Sequence, residues 1–242
     1  MNAPAHVGIL AHSADGAALC FLEMIREAAR RCGDHVHPEI TLSILPMGPT
    51  LDAYARDDLD TVRAYLAGTA ARLADAGCDF FVCPDNTAHA ALEREGAALP
   101  LPGLHIAEIV AAKAQADGRR CVGLLGTAWT MEGPVYPAAF RRHDLTWRTP
   151  AANDRAIVHD VILRELTQGV ISAASRDEFI RIIELLRAAG CDAVALSCTE
   201  IPLLVSAEIS PLPVLDSTRL LAREAVACAL EHRVPAWRGG SP

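Results

Sequence analysis

The chain has 242 residues, 51% hydrophobic and 21% charged, enough for one large or two small domains with an ordinary core. Its net charge of −8 excludes a general nucleic-acid binder, which needs basic surface, but not a small anion held by local N–H groups. The eight cysteines show no CxxC pair or framework spacing and read as small core residues in a reducing cytoplasm; the N-terminus has no basic or apolar signal region, and no apolar run approaches the ~18 residues of a membrane span.

In chain order, residues 6–11 read as a first strand, followed by a strand-to-helix turn at His12-Ser13-Ala14-Asp15-Gly16 and a helix over 17–31. A second strand covers 40–45, a loop Met47–Thr50, and an amphipathic helix 58–76, with Leu59, Val62, Leu66, Ala70 and Leu73 in one stripe. A third strand over 80–83 leads into Asp85-Asn86-Thr87-Ala88-His89 and a helix; a short strand at 101–105 and a helix at 107–116 follow. The polar turn Asp117–Arg120 is the expected crossing into a second half. There, strands are expected at 121–125, 145–148, 193–196 and 212–215, with helices at 154–167, 176–189 and, capped by Asp216-Ser217-Thr218, through Leu230. The fold class is α/β: two pseudo-symmetric lobes, each a mainly parallel sheet flanked by helices, with the active site in the cleft between them. Lobe 1 spans 1–117, with helix 216–232 packing back on it; lobe 2 spans 118–215; residues 233–242 are expected to fray.

The two lobes rest on an internal repeat. Ala76-Gly77-Cys78-Asp79 recurs as Ala189-Gly190-Cys191-Asp192, and each is followed by an apolar run, Phe80-Phe81-Val82-Cys83 or Ala193-Val194-Ala195-Leu196. Val7-Gly8-Ile9-Leu10-Ala11 matches Val122-Gly123-Leu124-Leu125-Gly126, and Leu101–His105 matches Leu212–Asp216, at nearly the same spacing. Asp85 is thereby the positional twin of Cys198. Both follow buried strands, and the carboxyl ends of strands are where open α/β sheets bind ligands. Asn86-Thr87 and Thr199-Glu200 are then paired polar dipeptides, readable singly as helix caps and jointly as a cradle for an anion. His12 lies at the first strand end. His89 either lines the cleft or is a satisfied residue behind it. The nine histidines show no metal-ligand spacing, and there is no GxGxxG or P-loop, so neither metal nor cofactor is expected.

These segments resemble the aspartate/glutamate racemase superfamily, in its aspartate racemase-like branch, over nearly the whole chain. Asp85-Asn86-Thr87-Ala88-His89, Leu124–Thr127 with Thr130-Met131-Glu132, Ser197-Cys198-Thr199-Glu200-Ile201 and Leu212–Asp216 carry the resemblance. It implies cofactor-independent chemistry at a carbon next to a carboxylate, with one group removing a proton and another returning it on the other face. Cys198 matches one group, and Asp85 stands where the family usually has a second cysteine. Asn86, Thr87, Thr127 and Thr199 would hold the α-carboxylate, with Glu200, His12 and His89 nearby; a homodimer is also implied. The usual turn after the first strand is replaced by Ala11-His12-Ser13-Ala14. The place of a lysine for a side-chain carboxylate reads Ile157, which points away from aspartate or glutamate as substrate. The expected activity is racemisation or epimerisation of an amino acid or related small carboxylate. A one-thiol decarboxylase, lyase or cis–trans isomerase on the same scaffold, and a non-catalytic carboxylate-binding relative, are the alternatives.

Overall fold

The structure is a computed structural model and describes residues 3–242. Among these residues, eight strands form two four-stranded sheets, and the chain divides into two compact units. The first runs to Ile106 and also takes in Thr218–Pro242; the second is Ala107–Ser217.

The first unit is built on β1 (Val7–Ala11), whose five residues are all buried. A continuous apolar strand of this kind belongs in the middle of a parallel sheet covered on both faces. It is flanked by β2 (Ile40–Ile44) and β3 (Phe80–Val82), with β4 (Gly103–Leu104) beyond β3, all parallel. The connecting helices are α1 (Ala14–Cys32), α2 (Gly48–Ala55), α3 (Leu59–Asp75) and α4 (Ala88–Leu92). Ser13 caps α1 through the Gly16 N–H and Asp58 caps α3 through the Thr61 N–H. The stripe Val62, Leu66, Ala70 and Leu73 of α3 is fully buried, at ~1.5–3 kcal/mol for each large aliphatic side chain.

The second unit repeats this plan. After α5 (Ile106–Ala116), central strand β5 (Cys121–Gly126) pairs with β6 (Thr146–Arg148) and β7 (Ala193–Ser197), and β8 (Val214–Asp216) lies beyond β7, again all parallel. The helices are α6 (Ala128–Glu132), α7 (Val135–Arg142), α8 (Ala152–Arg164), α9 (Ala173–Ala188) and α10 (Ile201–Leu204); α11 (Ser217–Leu230) follows β8. The sheet orders, β2-β1-β3-β4 and β6-β5-β7-β8, correspond strand for strand.

The correspondence reaches single hydrogen bonds. Gly77 and Gly190 turn the chain at φ of +83° and +94°, a region that favours glycine. After each turn the cysteine N–H returns to a helix carbonyl, Cys78 to Leu73 at 3.1 Å and Cys191 to Leu186 at 3.0 Å. The aspartate that follows clamps the start of the central strand, Asp79 on the His6 N–H and Asp192 on the Cys121 N–H. A Cβ on Gly8 would come within 3.0 Å of Leu73, and one on Gly123 within 2.9 Å of Leu186, so both glycines let the long helix lie close on the sheet.

Several details depart from the sequence reading. Residues 48–50 open helix α2 rather than a loop, and α6 and α7 occupy a stretch with no expected element. The first boundary falls after Ile106, not at 117. The reason is visible on α5: Glu108 accepts hydrogen bonds from Arg142 at the end of α7 and faces the neighbouring His143, and Gln115 bonds the His143 carbonyl. The tail is pinned rather than frayed. Gly103 N–H bonds Trp237 O at 2.7 Å, Leu99 N–H bonds Arg238 O at 2.8 Å, and Gly240 N–H bonds Leu92 O at 3.0 Å. No helix among the described residues is long and apolar enough to cross a membrane.

Candidate active site

In the first unit, His12 follows β1 and Asp85 follows β3, adjacent strands in register at Ile9 and Val82. Their side chains meet: His12 Nδ1 lies 2.5 Å from Asp85 Oδ2. His12 Nε2 lies 2.7 Å from Thr50 Oγ1, whose hydroxyl donates to Met47 O. That hydroxyl has one hydrogen, already spent, so it accepts from His12 and Nε2 carries a proton. The other carboxylate oxygen, Asp85 Oδ1, accepts the Ala88 N–H at 3.1 Å. Tyr54 of α2 stands edge-on to the His12 ring at 6.0 Å.

Burial by itself would push Asp85 up, but the His12 charge, its hydrogen bond and the Ala88 N–H prevail and hold the carboxyl below its usual range. Burial would likewise lower His12, and the Asp85 carboxylate overrides it and raises the imidazole. Both shifts favour the charged forms, an imidazolium beside a carboxylate. Cys83, two residues before Asp85, is fully buried, and burial with Asp85 nearby drives it well above the ordinary thiol value.

Asn86 is buried and Thr87 half-buried on the same turn; Thr87 heads α4 without a side-chain capping bond, the capping being done by Asp85. Of the two places open to His89, lining a cleft or sitting satisfied behind the strand end, the structure shows the second, which removes it from the substrate-binding set. It is fully buried, with Nδ1 donating to Asp85 O at 2.9 Å and Nε2 accepting the Ile106 N–H at 3.4 Å. Burial and the neighbouring His105 lower its pKa to about 3. It is a neutral prop for the backbone of Asp85. Trp237 stacks on its ring at 5.8 Å and His105 meets it edge-on at 4.8 Å.

In the second unit, β5 and β7 are in register at Gly126 and Ser197, so the next residues, Thr127 and Cys198, leave the sheet side by side. Gly126 makes this approach: a Cβ there would lie 2.8 Å from Ser197 O. Thr127 caps α6, its Oγ1 accepting the Thr130 N–H at 3.3 Å. Cys198 Sγ donates to Glu200 Oε2 at 2.9 Å. Thr199 and Glu200 are both buried. In the repeat, Thr127 stands to Cys198 as His12 stands to Asp85.

Three residues near these strand ends carried no role in the sequence reading. Thr50 orients His12 from a segment expected to be a loop, and Tyr54 lies one turn further along α2. His159 of α8 accepts the Ala128 N–H at 3.1 Å, beside Thr127, and packs edge-on against Trp129. It is His159 that touches the strand-end turn of this unit, two positions beyond Ile157 on the same helix. No periodicity or motif marked these residues. Among the described residues, no cluster of three or more His, Cys, Asp or Glu could hold a metal ion.

Comparison with known proteins bears on the fold and the family. The family model for Asp/Glu/hydantoin racemases matches residues 16–225. A broad-specificity amino-acid racemase from Bacillus subtilis, RacX, is 23% identical over 183 residues, 73% of this chain and 76% of that protein. A crystal structure from Yersinia pestis assigned to the Asp/Glu racemases superposes with a TM-score of 0.82 at 30% identity, over 93% of this chain and 99% of that one. The fold also matches a glutamate racemase from Francisella tularensis in complex with D-glutamate, with a TM-score of 0.66 at 14% identity over 96% and 83% of the two chains. With the family model spanning most of the sequence and both sheets laid out on its plan, this chain belongs to the Asp/Glu/hydantoin racemase family.

Proposed function

We propose that the protein is a cofactor-independent racemase or epimerase acting at the α-carbon of an amino acid or related small carboxylate, with Asp85 and Cys198 as its two acid/base groups. The observation that carries this reading is their equivalence. Each follows the corresponding strand of a repeated unit, and each holds a side-chain partner able to exchange a proton, His12 for Asp85 and Glu200 for Cys198.

An α-proton next to a carboxylate is very weakly acidic, so its removal needs the developing charge held by fixed donors. Asn86, Thr87, Thr127 and Thr199 are the side chains at these strand ends suited to binding a carboxylate. A thiol with a carboxylate beside it can pass its proton to that carboxylate and accept another from carbon. No lysine stands at Ile157 to neutralise a second carboxylate, which favours substrates with uncharged side chains. The similarity to a broad-specificity amino-acid racemase supports this choice.

The test is an amino-acid panel of both enantiomers in deuterium oxide, followed by chiral chromatography and proton NMR. Inversion with deuterium gained at Cα is expected, and Cys198→Ala and Asp85→Asn should each reduce inversion by ~10²–10⁴. A panel showing neither inversion nor exchange would overturn the reading. One observation favours a one-thiol decarboxylase instead: His12 holds Asp85 as a weakly basic carboxylate. In that case Asp85→Asn should keep much of the rate on a disubstituted malonate, whereas a two-group racemase needs the carboxyl.

A further inference from the structure

We propose that His12, fixed by Thr50, stores a proton for Asp85, so that the His12–Asp85 pair enters turnover as the proton donor and Cys198 as the proton acceptor; this rests on Asp85 and Cys198 being the two acid/base groups.

The argument is a count of hydrogens. Thr50 gives its only hydroxyl hydrogen to Met47 O, so His12 Nε2 must bring its own proton to the 2.7 Å contact. A second proton then lies between His12 Nδ1 and Asp85 Oδ2, which are 2.5 Å apart. Whether that proton sits nearer nitrogen or oxygen, the pair is neutral overall and holds one proton it can release. Taking up a further proton would leave a net positive charge beside the buried Tyr54, Cys83 and His89, a costly state in low dielectric. The His12–Asp85 end is therefore built to give a proton.

In the step this implies, the Cys198 proton passes to Glu200 and the thiolate takes the Cα proton. The C–H electron pair stays on carbon, delocalised into the substrate carboxylate. Asp85 takes up the proton it shares with His12 Nδ1 and delivers it to that carbon. The pair is left as a carboxylate beside an imidazole protonated on Nε2. Exchange with solvent water resets both ends after product leaves. His12 does not touch the reacting carbon; it is a positioning residue that acts through Asp85.

The titratable groups facing the pair are Tyr54 from α2, Cys83 just after β3 and His89 from α4. Burial keeps the first two protonated and His89 neutral, so a titration here near neutral pH belongs to the pair itself.

Two measurements test the proposal. In the first, the whole protein labelled with ¹⁵N-histidine is followed by NMR from pH 5 to 8, with His12 assigned by the signal lost in His12→Gln. At pH 7 a proton on Nε2 and a strongly deshielded shared proton on the Asp85 side are expected, and Thr50→Val should move the His12 titration to lower pH. A neutral ring bearing its only proton on Nδ1 overturns the proposal, whatever substrate is found. The second uses the amino acid that the panel shows to be inverted fastest. His12→Gln should cut inversion more than 10-fold, while one enantiomer still exchanges its α-hydrogen with retention through Cys198, within ~3-fold of the parent. Equal loss of inversion and exchange, or full inversion without His12, would overturn it. A panel without turnover would count against the racemase reading and leave the NMR result to judge the stored proton.

Discussion

Burial at His89 sets an acid limit on the fold. Its pKa falls to about 3 in the folded chain, against ~6.5 for an exposed histidine. Between those values the unfolded chain binds a proton that the folded chain refuses, so stability falls as pH drops through this window, by a few kcal/mol in all. Urea unfolding midpoints from pH 7 to pH 4 should therefore decline more steeply for the parent than for His89→Asn, by about one proton. The His12–Asp85 pair behaves differently at each end. Its carboxyl, held low, contributes stability that is lost as pH falls through the folded value. Its imidazole, held high, contributes stability that is lost as pH rises through the raised value. Asp85→Asn should remove the carboxyl's dependence, reverse the imidazole's because burial then lowers it, and destabilise the protein by ~3 kcal/mol, the usual cost of breaking a buried pair. The Asp85–Asn86–Thr87 and Cys198–Thr199–Glu200 stretches were legible because a repeat and a strand end suffice to place them. The link from Asp85 to His12 was not, because the two are 73 positions apart and only the pairing of β1 with β3 joins them.

Among the elements, the C-terminal strap has the clearest consequence. Trp237 packs on Phe81 and His89, its indole N–H bonds Gly240 O at 2.7 Å, and its backbone bridges Gly103 on the edge strand. Through His89 it backs the turn that carries Asp85. Trp237→Ala should cost ~2 kcal/mol in chemical denaturation, at the low end for a large aromatic because the ring is only partly buried. Deleting residues 236–242 should do at least as much and should speed amide exchange at Leu99 and Gly103, which the strap protects. A terminal segment was expected to fray; backbone bonding to a sheet edge reversed that. The five-residue helix α6 escaped for a related reason: it is too short to show a 3.6-residue period, and its start is fixed by a strand-end turn. The long helices α1, α3 and α9 were legible, because their apolar stripes extend over several turns.

At the scale of the whole molecule, the chain leaves the first unit at Ile106 and returns to it at Thr218. The returning helix is integral to that unit: Ala5 N–H bonds Ala229 O at 3.0 Å, and Arg223 pairs with the buried Glu23. A fragment ending at residue 106 should therefore fail to fold, with amide NMR dispersion appearing only when 218–242 is joined to it by a flexible linker. Dispersed signals from 1–106 alone would refute that dependence. The strands along the chain, their mainly parallel sheets and the internal duplication were legible in the sequence, since apolar runs, glycine turns and their spacing are local properties that recur. Which unit takes α5, how the C-terminal tail is held, and which side chain holds the proton beside Asp85 were decided only by tertiary structure. Those outcomes depend on contacts between residues far apart in the chain, and a linear pattern carries no record of which distant partner will supply the missing hydrogen bond.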